Sequence, residues 1–179
     1  MRPLIAGNWK MNGLMLDLGE VEAVVTAVTA RPRTADVLIC TPLTLIARAA
    51  QIAAGRIGIG GQDCHSATAG AFTGDISAEM LKDAGASAVI VGHSERRQHH
   101  GETDATVAAK ADAAWRAGLL VIICIGETRA QRRDGAALSV CREQLARSMP
   151  EGGASSAQAV AYEPLSGRSA VGKRLPRRR

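Results

Sequence analysis

Apolar positions along this chain follow two rhythms. Short runs rich in Val, Ile and Leu, apolar on consecutive positions, read as strands buried on both faces; longer stretches with apolar residues three and four apart read as amphipathic helices. Leu4 to Asn8 is the first strand-like run, and helical spacing follows from Leu16 to Thr29. Asp36 to Cys40 is the second strand, punctuated by Thr41-Pro42, and Leu43 to Ala54 is a helix with proline near its first turn. The third strand, Arg56 to Gly61, is rich enough in glycine to imply tight backbone approach. A long loop of small and polar residues, Gln62 to Asp75, precedes a serine-capped helix from Ser77 to Ala84 that stops at Gly85. Ala88 to Val91 is the fourth strand, Asp104 to Ala117 a helix, and Leu119 to Ile125 the fifth strand. Arg129 to Ser148 mixes charges with apolar positions and predicts a solvent-facing helix, and Gln158 to Tyr162 is a sixth strand. The pattern predicts six strands and five helices, and then it stops.

Strict alternation of β and α, with strands apolar on both faces, argues for a parallel sheet covered by helices. An open doubly wound sheet and a (β/α) barrel both satisfy it. No GxGxxG or Walker-type loop follows any strand, and Gly58-Ile59-Gly60-Gly61 lacks the spacing, which counts against the first. Polar groups stand at the C-terminal ends of four strands: Asn8 and Lys10, His93, Glu127, and Glu163. Barrel enzymes gather their chemistry in this way.

Composition narrows the picture. With 179 residues, one domain with a substantial core is expected. The chain is 46% apolar but only 2% aromatic, so that core is built from Ala, Val, Ile and Leu. Cys40, Cys64, Cys124 and Cys141 show no CxxC spacing and read as reduced thiols, mostly in the core. No signal-like N-terminus and no apolar run of membrane-spanning length is present, which predicts a soluble cytoplasmic protein. The net charge of +5 is local: Pro164 to Arg179 holds six basic residues and no acidic one. Subtracting those six from 22 leaves 16 basic against 17 acidic residues, a net charge of −1 for the body.

Phe72, the single phenylalanine, lies in the Gln62 to Asp75 loop. A loop packing on its own body and a protruding, partner-docking loop both account for it, and the second is preferred. His93 directly follows Gly92 at the end of the fourth strand; it reads either as a loop histidine bonded to a neighbouring carbonyl or as a catalytic group. A closed barrel would bring Lys10, His93 and Glu163 to one mouth. A cation, an imidazole and a carboxylate together suit proton abstraction beside a carbonyl.

The wording of the motifs goes further. Ala6-Gly7-Asn8-Trp9-Lys10-Met11-Asn12, Val91-Gly92-His93-Ser94-Glu95-Arg96-Arg97, Cys124-Ile125-Gly126-Glu127-Thr128 and Ala161-Tyr162-Glu163-Pro164 resemble the signature segments of the triosephosphate isomerase family, in order and spacing, from Arg2 to Pro164. The resemblance implies the (β/α)8 TIM barrel fold, here incomplete with about six strands and five helices. It implies interconversion of dihydroxyacetone phosphate and D-glyceraldehyde 3-phosphate in glycolysis and gluconeogenesis. Glu163 matches the base, His93 the neutral electrophile, and Lys10 the cation near the phosphate and enediolate. Asn8 matches a hydrogen-bonding neighbour, Glu95 the carboxylate beside the lysine, and Ser94 a supporting residue. No metal or organic cofactor is implied. A homodimer is, through the loop 62–75 with Phe72, Thr73 and Gly74 near its tip. His65, His99 and His100 match no catalytic position and read as surface or loop residues.

After Pro164 the chain departs from the family pattern. A hydrophobic lid with a tryptophan is expected there, and two further β/α units with phosphate-binding loops; the chain reads Leu165-Ser166-Gly167-Arg168 and ends at Arg179. Residues 1–164 are therefore expected to form a partial barrel with two unpaired strand edges, and 165–179 a disordered basic tail. Activity is then doubtful, because the phosphate must be gripped and water excluded. A shifted reading frame in a GC-rich gene would produce such a change. Translating the upstream DNA in the other two frames tests this, and failure to find the lid in either sinks it. The tail as an arm for nucleic acid or anionic membrane is the weaker reading, since it has no aromatic residue to stack on bases. Two alternatives to a working isomerase remain: an inactive fragment or interaction module that keeps the dimer loop, and another sugar-phosphate barrel enzyme.

Overall fold

A computed structural model of the chain describes residues 2–30, 32, 34–151 and 158–164. Six strands form one parallel sheet in sequence order: β1 (Leu4–Asn8), β2 (Asp36–Cys40), β3 (Gly58–Gly61), β4 (Ala88–Val91), β5 (Leu120–Ile125) and β6 (Gln158–Tyr162). The helices between them are α1 (Gly19–Thr29), α2 (Ile46–Ala53), α3 (Ala78–Asp83), α4 (Ser94–His99), α5 (Asp104–Arg116), α6 (Arg129–Arg133) and α7 (Ala137–Ser148). Single 3-10 turns at Met15–Leu18 and Leu43–Leu45 lead into α1 and α2.

Strand alternation sorts the core into two clusters. Ile39, Ile59, Val89, Val91, Val121, Ile123 and Ile125 face the helices and pack with Val21, Ile46, Leu81 and Val107. Leu38, Cys40, Ala88, Ile90, Ile122 and Cys124 form the second cluster on the opposite face, which explains the consecutive apolar runs. The glycines of β3 permit close packing: a Cβ on Gly60 would lie 2.7 Å from Cys40 Sγ, and one on Gly61 2.8 Å from Leu81. Ser77 caps α3 by accepting from the Met80 amide at 3.2 Å, as the sequence predicts. No disulfide joins the four cysteines; three are buried and Cys141 is half-buried.

Two features differ from the sequence reading. The helix expected from Arg129 to Ser148 is two helices, because Gly135 turns the chain at φ +74° after α6. A short helix, α4, follows His93, in a polar stretch to which the apolar pattern assigns no element. The sheet is curled rather than closed: among the described residues β1 pairs with β2 alone and β6 with β5 alone. The expected disorder of 165–179 lies outside the described residues.

Candidate active site

Lys10 is presented by a strained backbone. It follows β1 at φ 54°, a left-handed conformation unfavourable for a side-chain-bearing residue. Three contacts hold it there. Its amide donates to Asn8 Oδ1 at 2.8 Å, its carbonyl accepts from Gln62 Nε2 at 2.9 Å, and its ammonium meets Glu95 Oε1 at 2.7 Å. Gln62 also donates to the Cys40 carbonyl, tying the end of β2 to the same point.

His93 caps α4. Its Nδ1 accepts from the Glu95 amide at 3.3 Å, and an N–H can only donate, so the neutral ring carries its proton on Nε2. That nitrogen is buried and faces Glu163 Oε1 at 3.1 Å without the alignment of a hydrogen bond. Arg97 anchors the helix behind it: the guanidinium donates to the Gly92 and Cys124 carbonyls and to Ser148 Oγ, and pairs with Asp104 at 2.6 Å. A second network joins Arg96, Lys110, Asp63 and Glu102, with Lys110 reaching Asp63 at 2.8 Å and Glu102 at 2.6 Å. Burial pushes the Asp63 carboxyl up, while the bonds from Lys110 and Arg96 outweigh burial at Glu102 and hold its carboxyl down.

Glu163 follows β6, and its amide donates to the Ile125 carbonyl at 2.8 Å. The preceding residue, Tyr162, donates to Glu127 Oε1 at 3.2 Å, and Arg132 reaches both groups. Glu127 is fully buried. Burial alone would raise its carboxyl, but hydrogen bonds from Arg132, its own backbone and Tyr162 prevail and hold it at about 2.

His93 stands between two cavities. A cleft of about 440 Å³ is lined by Asn8, Lys10, Gln62, His93, Glu95 and Gly74, among others. On the other side a cavity of about 170 Å³ is lined by Ser94, Gly126, Gln144 and Glu163. Lys10 and His93 thus share the larger cleft, whereas Glu163 lines the smaller cavity and meets the pair through His93, 3.1 Å away. Phe72 is half exposed and its ring lies 4.1 Å from that of His65, so the loop both packs on itself and presents an apolar face. His65 thus has a packing role that sequence reading missed. The anchoring roles of Gln62, Arg97 and Glu127 were missed as well; Glu127 was visible only as a polar residue at a strand end. Among the described residues no cluster of three His, Cys, Asp or Glu side chains could hold a metal ion. Nor is any described helix long and apolar enough to cross a membrane.

A family model described as Triosephosphate isomerase matches residues 3–174, extending past Pro164. Proteins named triosephosphate isomerase from Afipia carboxidovorans and Ruegeria pomeroyi are 59% and 61% identical to the chain. Each match covers 92% of this chain and 66% or 65% of the relative, so the chain spans just under two thirds of their length. A crystal structure of triosephosphate isomerase from Bartonella henselae superposes with a TM-score of 0.87 at 51% identity, covering 92% of this chain and 69% of that one.

Proposed function

The chain belongs to the triosephosphate isomerase family, and from that premise we propose that it interconverts dihydroxyacetone phosphate and D-glyceraldehyde 3-phosphate by proton transfer through an enediolate. The observation that supports this most is the meeting of His93 Nε2 and Glu163 Oε1 at 3.1 Å, two groups from different strand ends. Glu163 removes the proton from the carbon next to the carbonyl. His93 donates its Nε2 proton to the carbonyl oxygen as negative charge develops there; Glu163 then returns its proton to the former carbonyl carbon, while the hydroxyl oxygen on the first carbon gives its proton back to His93 and becomes the new carbonyl. Lys10 supplies positive charge for the phosphate and enediolate, with Glu95 and Asn8 fixing its position. The reading requires no metal or organic cofactor, since positioned acid, base and charge suffice.

A homodimer through the loop 62–75 belongs to the same proposal, as does a place in cytoplasmic glycolysis and gluconeogenesis; nucleic acid and membrane are not expected partners. The half-exposed Phe72, beside Thr73 and Gly74, supports the dimer. A second reading, an inactive module that retains part of the barrel and the dimer loop, is favoured by the sheet edges at β1 and β6, each paired on one side only among the described residues.

Exchange of substrate carbon-bound hydrogen with D2O, alongside a coupled isomerase assay, separates the two. Loss of a general base costs about 10²–10⁴-fold, so Glu163→Gln is expected to slow both by that factor. Equal rates for the two proteins would overturn the catalytic reading and leave the module.

A further inference from the structure

The position of the Glu163 carboxylate is set by its backbone, and that backbone is seated on Gly126. The Glu163 carbonyl lies so close to the Gly126 Cα that a Cβ there would collide with it, while the Glu163 amide is held by the Ile125 carbonyl at 2.8 Å. Gly126 is the first residue after β5, and its N–H goes to a side chain: it donates to Gln144 Oε1 at 2.9 Å. Gln144 comes from α7, eighteen residues along the chain, and with Gly126 and Glu163 it lines the same 170 Å³ cavity.

We infer that Gln144 is a positioning residue for Glu163, acting through Gly126. Glycine has the freest backbone of any residue, so a glycine used as a seat must be fixed by something else. The Gln144 carbonyl does this, and thereby sets how far Glu163 stands from His93. Displacing a reacting group by about 1 Å costs on the order of 10²-fold in rate. The inference rests on the reading of Glu163 as the base.

The test uses two variants of the full chain. Gln144→Met keeps the length of the side chain and removes the acceptor; Gln144→Glu keeps an acceptor oxygen. Amide hydrogen exchange by NMR is expected to show Gly126 exchanging about tenfold faster in Gln144→Met and near the wild-type rate in Gln144→Glu. The isomerase kcat is expected to fall about 10–100-fold in Gln144→Met with KM unchanged, and to recover most of its value in Gln144→Glu. Unchanged Gly126 exchange overturns the proposal, as does faster exchange with an unchanged kcat. Should the wild-type chain show no rate above Glu163→Gln, the catalytic reading has failed on its own. The position is then read from the 13C shift of the Glu163 carboxyl, which must differ between wild type and Gln144→Met for the inference to stand.

Discussion

Glu127 shows how a single residue's chemistry can be misjudged from its place in the chain. It stands at a strand end, where a barrel enzyme keeps its reactive groups, yet it is fully buried and committed to Arg132, Tyr162 and the Cys141 thiol. Its carboxyl is held at about 2, below the ordinary value of 4.5. A carboxyl depressed on folding stabilises the protein above its unfolded value, and that contribution fades as pH falls from about 4.5 towards 2. Urea midpoints measured between pH 6 and 2 are therefore expected to drop less steeply for Glu127→Gln than for wild type, with the difference confined to that window. Parallel profiles would mean that the Arg132 and Tyr162 contacts contribute nothing to folding. Residues that meet only through tertiary structure were illegible in the sequence for this reason: Glu127 and Tyr162 are 35 positions apart. Lys10, His93 and Glu163 were legible because each lies within two residues of the C-terminal end of a strand, so parallel topology alone brings them to one end of the sheet.

At the scale of elements, the strand pattern was readable almost to the residue, since both faces of β2, β4 and β5 are buried and their apolar runs are continuous. The short helix α4 was not. Four of its six residues are charged or titratable, so it has no apolar stripe, and its stability comes from the His93 cap and from Arg97. Arg97 joins β4, β5, α5 and α7 through the Gly92 and Cys124 carbonyls, Asp104 and Ser148. Arg97→Met takes the guanidinium from those acceptors and leaves a partly buried Asp104 with the Ser148 hydroxyl, 3.1 Å away, in place of a charged partner. The cost is expected to be roughly 2–4 kcal/mol, between an exposed pair and a fully buried one, read as a lowered urea midpoint at unchanged slope. A loss below about 0.5 kcal/mol would place the ends of β4 and β5 under the control of strand pairing alone. The break between α6 and α7 had a visible signal in Asp134-Gly135, overridden in the sequence reading by the charge pattern that continues on both sides.

For the whole molecule, the unequal burial of the strands is the feature that distinguishes one state of the chain from another. Ile123 in β5 is completely buried, whereas Ile5 in β1 is 61% exposed, with Leu4 beside it also exposed. In an isolated chain Ile123→Ala should cost about 2–5 kcal/mol, and Ile5→Ala less than about 1, because little apolar surface leaves water there on folding. A partner on the edge, whether a second copy or further polypeptide, removes that surface from water and raises the cost of Ile5→Ala. It also makes the melting temperature rise with protein concentration when the partner is a second copy. Thermal melts of both variants across a hundredfold range of concentration therefore separate the two states. A cost for Ile5→Ala equal to that for Ile123→Ala at every concentration would show that β1 is covered within the chain itself. The open edge would then be wrong, and with it the reading of the protein as an inactive module with free strand edges.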